Sequence, residues 1–163
     1  MITDLNLTLS GAIAQAASGT GVQTTMTGQT ATGTNTSVLS TNTIDLGTAR
    51  DIGKGEMLEV VVEVITAASG GTSVQFQLIQ ADDAALTTNV QVIVQTDAIA
   101  VATLVAGTQV PLHVSRVDPY PARRYLGLRY VFVGAVAAGA YFAGVVKSVA
   151  DKQVNYANGF AVL

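Results

Sequence analysis

Cysteine is absent, so the chain forms no disulfide and offers no thiolate to a metal ion. That leaves its redox compartment unreadable from the sequence. Tryptophan is absent too, and histidine occurs once, as His113. One imidazole cannot supply the several-histidine ligand set of a cupin-type metal enzyme. Ser115 and Asp118 lie close to it in sequence, but no nucleophile elbow accompanies them, so no hydrolase triad is expected. The place expected for His113 is a strand end, with the ring neutral. Charged residues make up only 12% of the chain, against an ordinary ~25%. Such poverty fits either a surface covered by neighbours or a bland surface of threonine and glutamine. The net charge of −3 argues against a general nucleic-acid binder, which presents a basic stripe to phosphate. No long hydrophobic run is present. The most apolar stretch, Leu128–Val149, is interrupted by Arg129, Gly134, Gly139, Gly144 and Lys147, which excludes a membrane helix there. Met1-Ile2-Thr3-Asp4 carries no basic region, so no secretory signal is expected.

What is present points to β-structure. Leu58, Val60, Val62 and Val64 recur at every second position, with Glu59 and Glu63 between them. Val74, Phe76 and Leu78 repeat the pattern against Gln75 and Gln77. Side chains of a strand alternate between its two faces, so each run is a half-buried strand. Gly70-Gly71 between them predicts a hairpin with a longer loop. One hairpin with one apolar face does not stay folded alone, so a second sheet is required. Further strands are expected at Asn35–Leu46, Val90–Thr96, Ile99–Leu104, Thr108–Val114, Tyr125–Val133 and Ala140–Val149. Pro111 marks its strand as an edge, because proline donates nothing to a ladder. Leu126, Leu128, Tyr130 and Phe132 share one face, with Tyr125 and Arg129 on the other. Gly134–Gly139 reads as a small-residue turn, and Val117–Arg123, with two prolines, as a loop. The fold class is therefore all-β. The reading is a jelly-roll β-sandwich of about eight strands, with an immunoglobulin-type sandwich as the alternative. Val60, Val62, Phe76, Leu78, Leu126 and Leu128 are expected in its core.

Three regions follow: an N-terminal arm over 1–43, the sandwich over 44–150 and a C-terminal tail over 151–163. Thr8–Thr43 contains no charged residue and is rich in glycine and threonine. Gly11–Ala17 within it could form a short helix. Gly19-Thr20-Gly21 lacks the lysine and the strand–helix setting of a phosphate loop. Ile13, Val22 and Met26 are spread too thinly along the arm to make a core of their own, and they suit contact with a neighbouring surface. Tyr156 and Phe160 suit the tail to the same role. Arg116, Arg123, Arg124 and Arg129 gather late in the chain, with Arg123-Arg124 beside Tyr120 and Tyr125. With the chain acidic overall, contact with carboxylates of a protein partner fits them better than nucleic acid. Asp82-Asp83 reads as a turn or cap rather than a proton-sharing pair, and Glu59 and Glu63 as a solvated face. No catalytic residue, metal ligand or cofactor-binding residue emerges, and no enzyme activity is expected.

The order of landmarks resembles a known family. Ile44-Asp45-Leu46-Gly47 is followed by Arg50-Asp51-Ile52-Gly53-Lys54-Gly55-Glu56 and then by the valine-rich strand. Gly70-Gly71, Val74-Gln75-Phe76-Gln77-Leu78 and Asp82-Asp83-Ala84 come next. Val105-Ala106-Gly107, Val110-Pro111-Leu112, Arg124–Tyr130 and Gly139–Val145 complete the set. Together these resemble the capsid cement, or decoration, proteins of tailed phages of the Bordetella-phage type. The resemblance implies a jelly-roll subunit made in the bacterial host cytoplasm and bound to the outer surface of the virion capsid. It would bridge copies of the major capsid protein and pair with itself, as a homodimer or alternatively a trimer, without touching nucleic acid or membrane. It carries no catalytic residue over. A lectin-like β-sandwich on a virion surface is the alternative reading, weakened by the absence of tryptophan for stacking sugar rings.

Overall fold

The structure is a computed structural model that describes residues 7–15, 24–49, 59–114 and 120–146. Its first strands are β1 (Thr8–Ser10), β2 (Ala12–Gln15), β3 (Thr24–Thr27), β4 (Gln29–Thr30), β5 (Gly33–Thr34), β6 (Ser37–Leu39) and β7 (Ile44–Asp45). Longer strands follow: β8 (Glu59–Gly70), β9 (Ser73–Ala81), β10 (Gln91–Gln95), the short β11 (Ile99–Ala100), β12 (Gln109–His113), β13 (Tyr125–Val133) and β14 (Ala135–Val146). No α-helix occurs among the described residues.

Two antiparallel sheets form the body. One runs β1-β14-β8-β12, with β4 and β5 also on β14. The other runs β10-β9-β13-β6, with β11 on β9 and β7 on β13. The pairings are nested. The first of these eight strands pairs with the last (β1 with β14), and the second with the seventh (β6 with β13). The third pairs with the sixth (β8 with β12), and the fourth with the fifth (β9 with β10). Successive pairs alternate between sheets, which is the topology of a jelly roll.

The core lies between the sheets. Val60, Val62 and Val64 enter it from β8, Val74, Phe76 and Leu78 from β9, and Leu128, Tyr130 and Phe132 from β13. Tyr141 and Ala143 of β14, Leu112 of β12 and Leu9 of β1 complete it. All six residues expected in the core are buried, Leu126 included. Each such side chain contributes ~1.5–3 kcal/mol through removal of its apolar surface from water. Phe76, Tyr130 and Tyr141 meet at the centre with ring centroids 5.2–5.7 Å apart. Burial pushes the Tyr141 hydroxyl up to about 12, and that of Tyr130 higher still. Tyr130 donates to Ser10 Oγ at 2.7 Å, fixing β1 across the core to β13.

Five expectations are corrected. Gly70-Gly71 does not close a hairpin: β8 and β9 belong to different sheets, and the chain crosses the sandwich between them. The apolar faces of the two strands meet each other through the core, which a side-by-side pair could not do. The run Gly134–Gly139 is not a turn. Only Gly134 turns, and Ala135 already begins β14, whose small residues pair with Ser69 and Gly70 through shifts of register. Ala12–Gln15, expected in a short helix, is a strand paired with β3. Finally, the arm does not end at residue 43. β1, β4, β5 and β6 all lie within 1–43 and pair with β13 or β14. Hydrogen bonds to the long central strands offset the weak apolar content of these segments. The segment Asn35–Leu46 is also two short strands, β6 and β7, rather than one. The expected strand residues Leu58 and Lys147–Val149, and the tail 151–163, lie outside the described residues.

Candidate protein-contact surfaces

Charge gathers at β7, at the end of β9 and in the residues that lead into β13. Arg123, just before β13, reaches both carboxylate oxygens of Asp82 at 2.6 Å. Arg124 makes a two-nitrogen fork on Asp45, with Nε and one Nη at 2.7 and 2.8 Å. Its guanidinium also stands 5.0 Å from the centre of the Tyr125 ring. The pair with Arg124, with help from the Gly47 amide, holds the Asp45 carboxyl at about 2. Arg123 lowers Asp82, with Asn89 assisting. Asp83 accepts from the Thr87 and Thr88 amides and the Thr87 hydroxyl, so its carboxyl is lowered as well. It caps the turn after β9, in keeping with the expectation for Asp82-Asp83. Beneath these pairs Gln80 is buried, with its amide donating to Gln91 Oε1 and the Pro121 carbonyl while it accepts from the Arg123 amide.

His113 sits at the end of β12, where Nδ1 lies 3.0 Å from Glu59 Oε1 on the neighbouring strand. Among the described residues no group of three or more histidine, aspartate or glutamate side chains gathers in a way that could hold a metal. No helix among them is long and apolar enough to cross a membrane.

Of the residues singled out for protein contact, Ile13 and Met26 are brought together. They stand opposite each other in the antiparallel pair β2–β3, both half-buried. Arg123 and Arg124 are neighbours that each hold one of the chain's own aspartates. Arg116, Val22, Tyr156 and Phe160 lie outside the described residues.

A further surface escaped the sequence reading. On the outer face of the second sheet, Arg129 of β13 stands beside Gln77 of β9 and donates from Nε to Gln77 Oε1 at 2.7 Å. A guanidinium only donates, so the Gln77 carbonyl oxygen must face it. The Gln77 amide nitrogen then turns to Gln75 Oε1 at 3.1 Å and Gln95 Oε1 at 2.8 Å. Gln75 in turn donates to the Thr96 carbonyl at 2.8 Å. This row of amides borders an open groove of about 630 Å³ lined by Asn35, Ser37, Gln77, Arg129, Val131 and Val133, among others. The sequence signal was the alternation Gln75, Gln77, Gln95 with Arg129, readable only once the register of three strands is known.

The described fold is thus an all-β jelly roll of two antiparallel sheets. A family model for Bbp16, a Bordetella phage protein family, matches residues 25–145, and the chain belongs to that family. The match begins within the stretch expected as an arm and runs to the last residues of β14, so it covers the sandwich apart from β1. No curated protein matches the chain.

Proposed function

We propose that this protein is a capsid cement protein, a jelly-roll subunit on the outer surface of a phage shell that bridges neighbouring copies of the major capsid protein. The observation that carries the reading is membership of a Bordetella phage protein family across the body of the sandwich. The surface chemistry supports it. Arg123, Arg124, Asp45 and Asp82 are engaged with one another in pairs. Much of what remains for a partner is uncharged and polar, and such surface meets protein without the cost of stripping water from unpaired ions.

The role is mechanical and requires no catalysis, metal or cofactor. A single small contact with the shell is weak, but a subunit that touches two capsid proteins and a second copy of itself gains by effective concentration. Self-pairing as a homodimer, with a trimer as the alternative, supplies that second point of attachment. Nucleic acid and membrane have no part in this scheme.

The test is to assemble shells from the major capsid protein and follow their disruption by scanning calorimetry, with and without added subunit. Shells should take up the subunit in a fixed ratio and break at a higher temperature. No uptake and an unchanged transition would overturn the reading.

A further inference from the structure

We propose that the groove beside Arg129 is the seat for a carboxylate-bearing segment of the shell protein, with Arg129 as its charged anchor. This rests on the cement reading above and adds to it a residue, a surface and a partner chemistry.

Three observations converge. The described arginines fall into two kinds. Arg123 and Arg124 each hold an aspartate, whereas Arg129 has no carboxylate within ion-pair distance among the described residues. Its single hydrogen bond there is the one from Nε to Gln77, so its two terminal nitrogens remain open for a partner. Second, Arg129 is held in place. Gln77 is 8% exposed and is itself fixed by Gln75 and Gln95, so the guanidinium is oriented before anything binds. Orienting a planar fork in advance removes much of the entropy lost when it pairs with a carboxylate. Third, the groove supplies donors and no acid. The Asn35 side-chain oxygen already accepts from the Gly134 amide at 2.8 Å, which leaves its amide nitrogen as a donor, and the Ser37 hydroxyl lies alongside. Among the described residues no aspartate or glutamate lines the groove. Val131 and half-exposed Val133 add an apolar margin for the stem of the incoming side chain. An acidic side chain on an extended segment matches this combination of charge and donors.

The experiment measures binding of purified protein to shells assembled without it, across a range of salt concentrations. The parent is compared with Arg129→Met, which keeps the length of the side chain, and Arg129→Lys, which keeps the charge but loses the fork. Loss of a pre-oriented, charge-assisted pair should weaken binding about tenfold in Arg129→Met. Arg129→Lys should fall between that variant and the parent, and the salt dependence of Arg129→Met should be shallower. Unfolding temperatures of both variants should match the parent, which separates contact from folding. Parent and Arg129→Met binding with equal affinity and equal salt dependence would overturn the inference while leaving the cement reading standing. Failure of the parent itself to bind would remove the cement reading and this inference together. A change confined to self-association, read by sedimentation, would assign the groove to a second copy of the chain and overturn the assignment to the shell.

Discussion

The two ends of the sandwich are closed by different physics. At one end the chain crosses between sheets at Gly70-Gly71 and again at Gly134, and these two crossings lie against each other. Gly71 and Gly134 both take positive φ, 69° and 79°. A side-chain carbon on Gly134 would stand 2.9 Å from Gly71 Cα, and the Thr72 amide donates to the Val133 carbonyl at 2.7 Å. No residue from Val64 to Ala81 or from Tyr130 to Val146 is charged. At the other end Asp45, Asp82, Arg123 and Arg124 hold the loops through ion pairs. One end is thus closed by backbone shape and the other by side-chain charge. The first should be sensitive to added atoms and indifferent to pH and salt, and the second the reverse.

The core between the ends sets the scale for any such contrast. Phe76 is fully buried and meets both Tyr130 and Tyr141 edge-on. Phe76→Ala should cost ~3–5 kcal/mol, a loss measured by chemical denaturation. A variant as stable as the parent would place Phe76 outside the core.

The next largest effect belongs to the glycine end. Gly134→Ala and Gly107→Ala both place a side chain at positive φ, 79° and 86°, which costs about 1–3 kcal/mol in either case. A side-chain carbon at Gly107 meets nothing within 4 Å, whereas at Gly134 it meets the backbone of Gly71 and Thr72 at 2.9 Å. Gly134→Ala should therefore be the more destabilising of the two in thermal melts. Equal losses would show that close approach of the two crossings does not matter.

The charged end should give the smallest effect and the only one that depends on pH. The Asp45 carboxyl titrates from 3.8 without its partners to about 2 with them, and Asp82 and Asp83 shift in the same direction. A depressed carboxyl stabilises the fold above the unfolded value, and this contribution is lost as pH falls through the folded value. Melting temperature should hold steady from pH 6 to about pH 4 and then decline toward pH 2. Asp45→Asn should make that decline shallower, and added salt should shrink the difference because the pairs are exposed. Identical acid profiles for parent and variant would remove Asp45 from the account.

The same contrast explains what was legible in the sequence. The long strands announced themselves because valine, leucine and phenylalanine alternate with glutamate or glutamine, and the faces of β8, β9 and β13 were read correctly. Which strands pair was not legible. Val60 and Phe76 look like members of one hairpin until the chain is seen to cross at Gly70-Gly71, since both solutions bury the same faces. The short strands β1 and β4–β6 carry threonine, glycine and serine, whose backbone pairs with β13 and β14 although their side chains show no period. Ala12–Gln15 failed for a related reason: alanine and glutamine favour a helix, and only pairing with β3 makes a strand of them. The ion pairs were hidden by distance along the chain, since Arg124 and Asp45 are 79 residues apart. The groove at Arg129 depends on the register of β9, β10 and β13 at once.

Cryo-electron microscopy of the assembled particle shows whether this protein sits on the shell. A cement role predicts a jelly roll of two four-stranded paths seated on the outside of the shell, with its surface touching more than one copy of the major capsid protein. A shell whose outer density is fully explained by the major capsid protein, in particles shown by mass spectrometry to contain this chain, would contradict it.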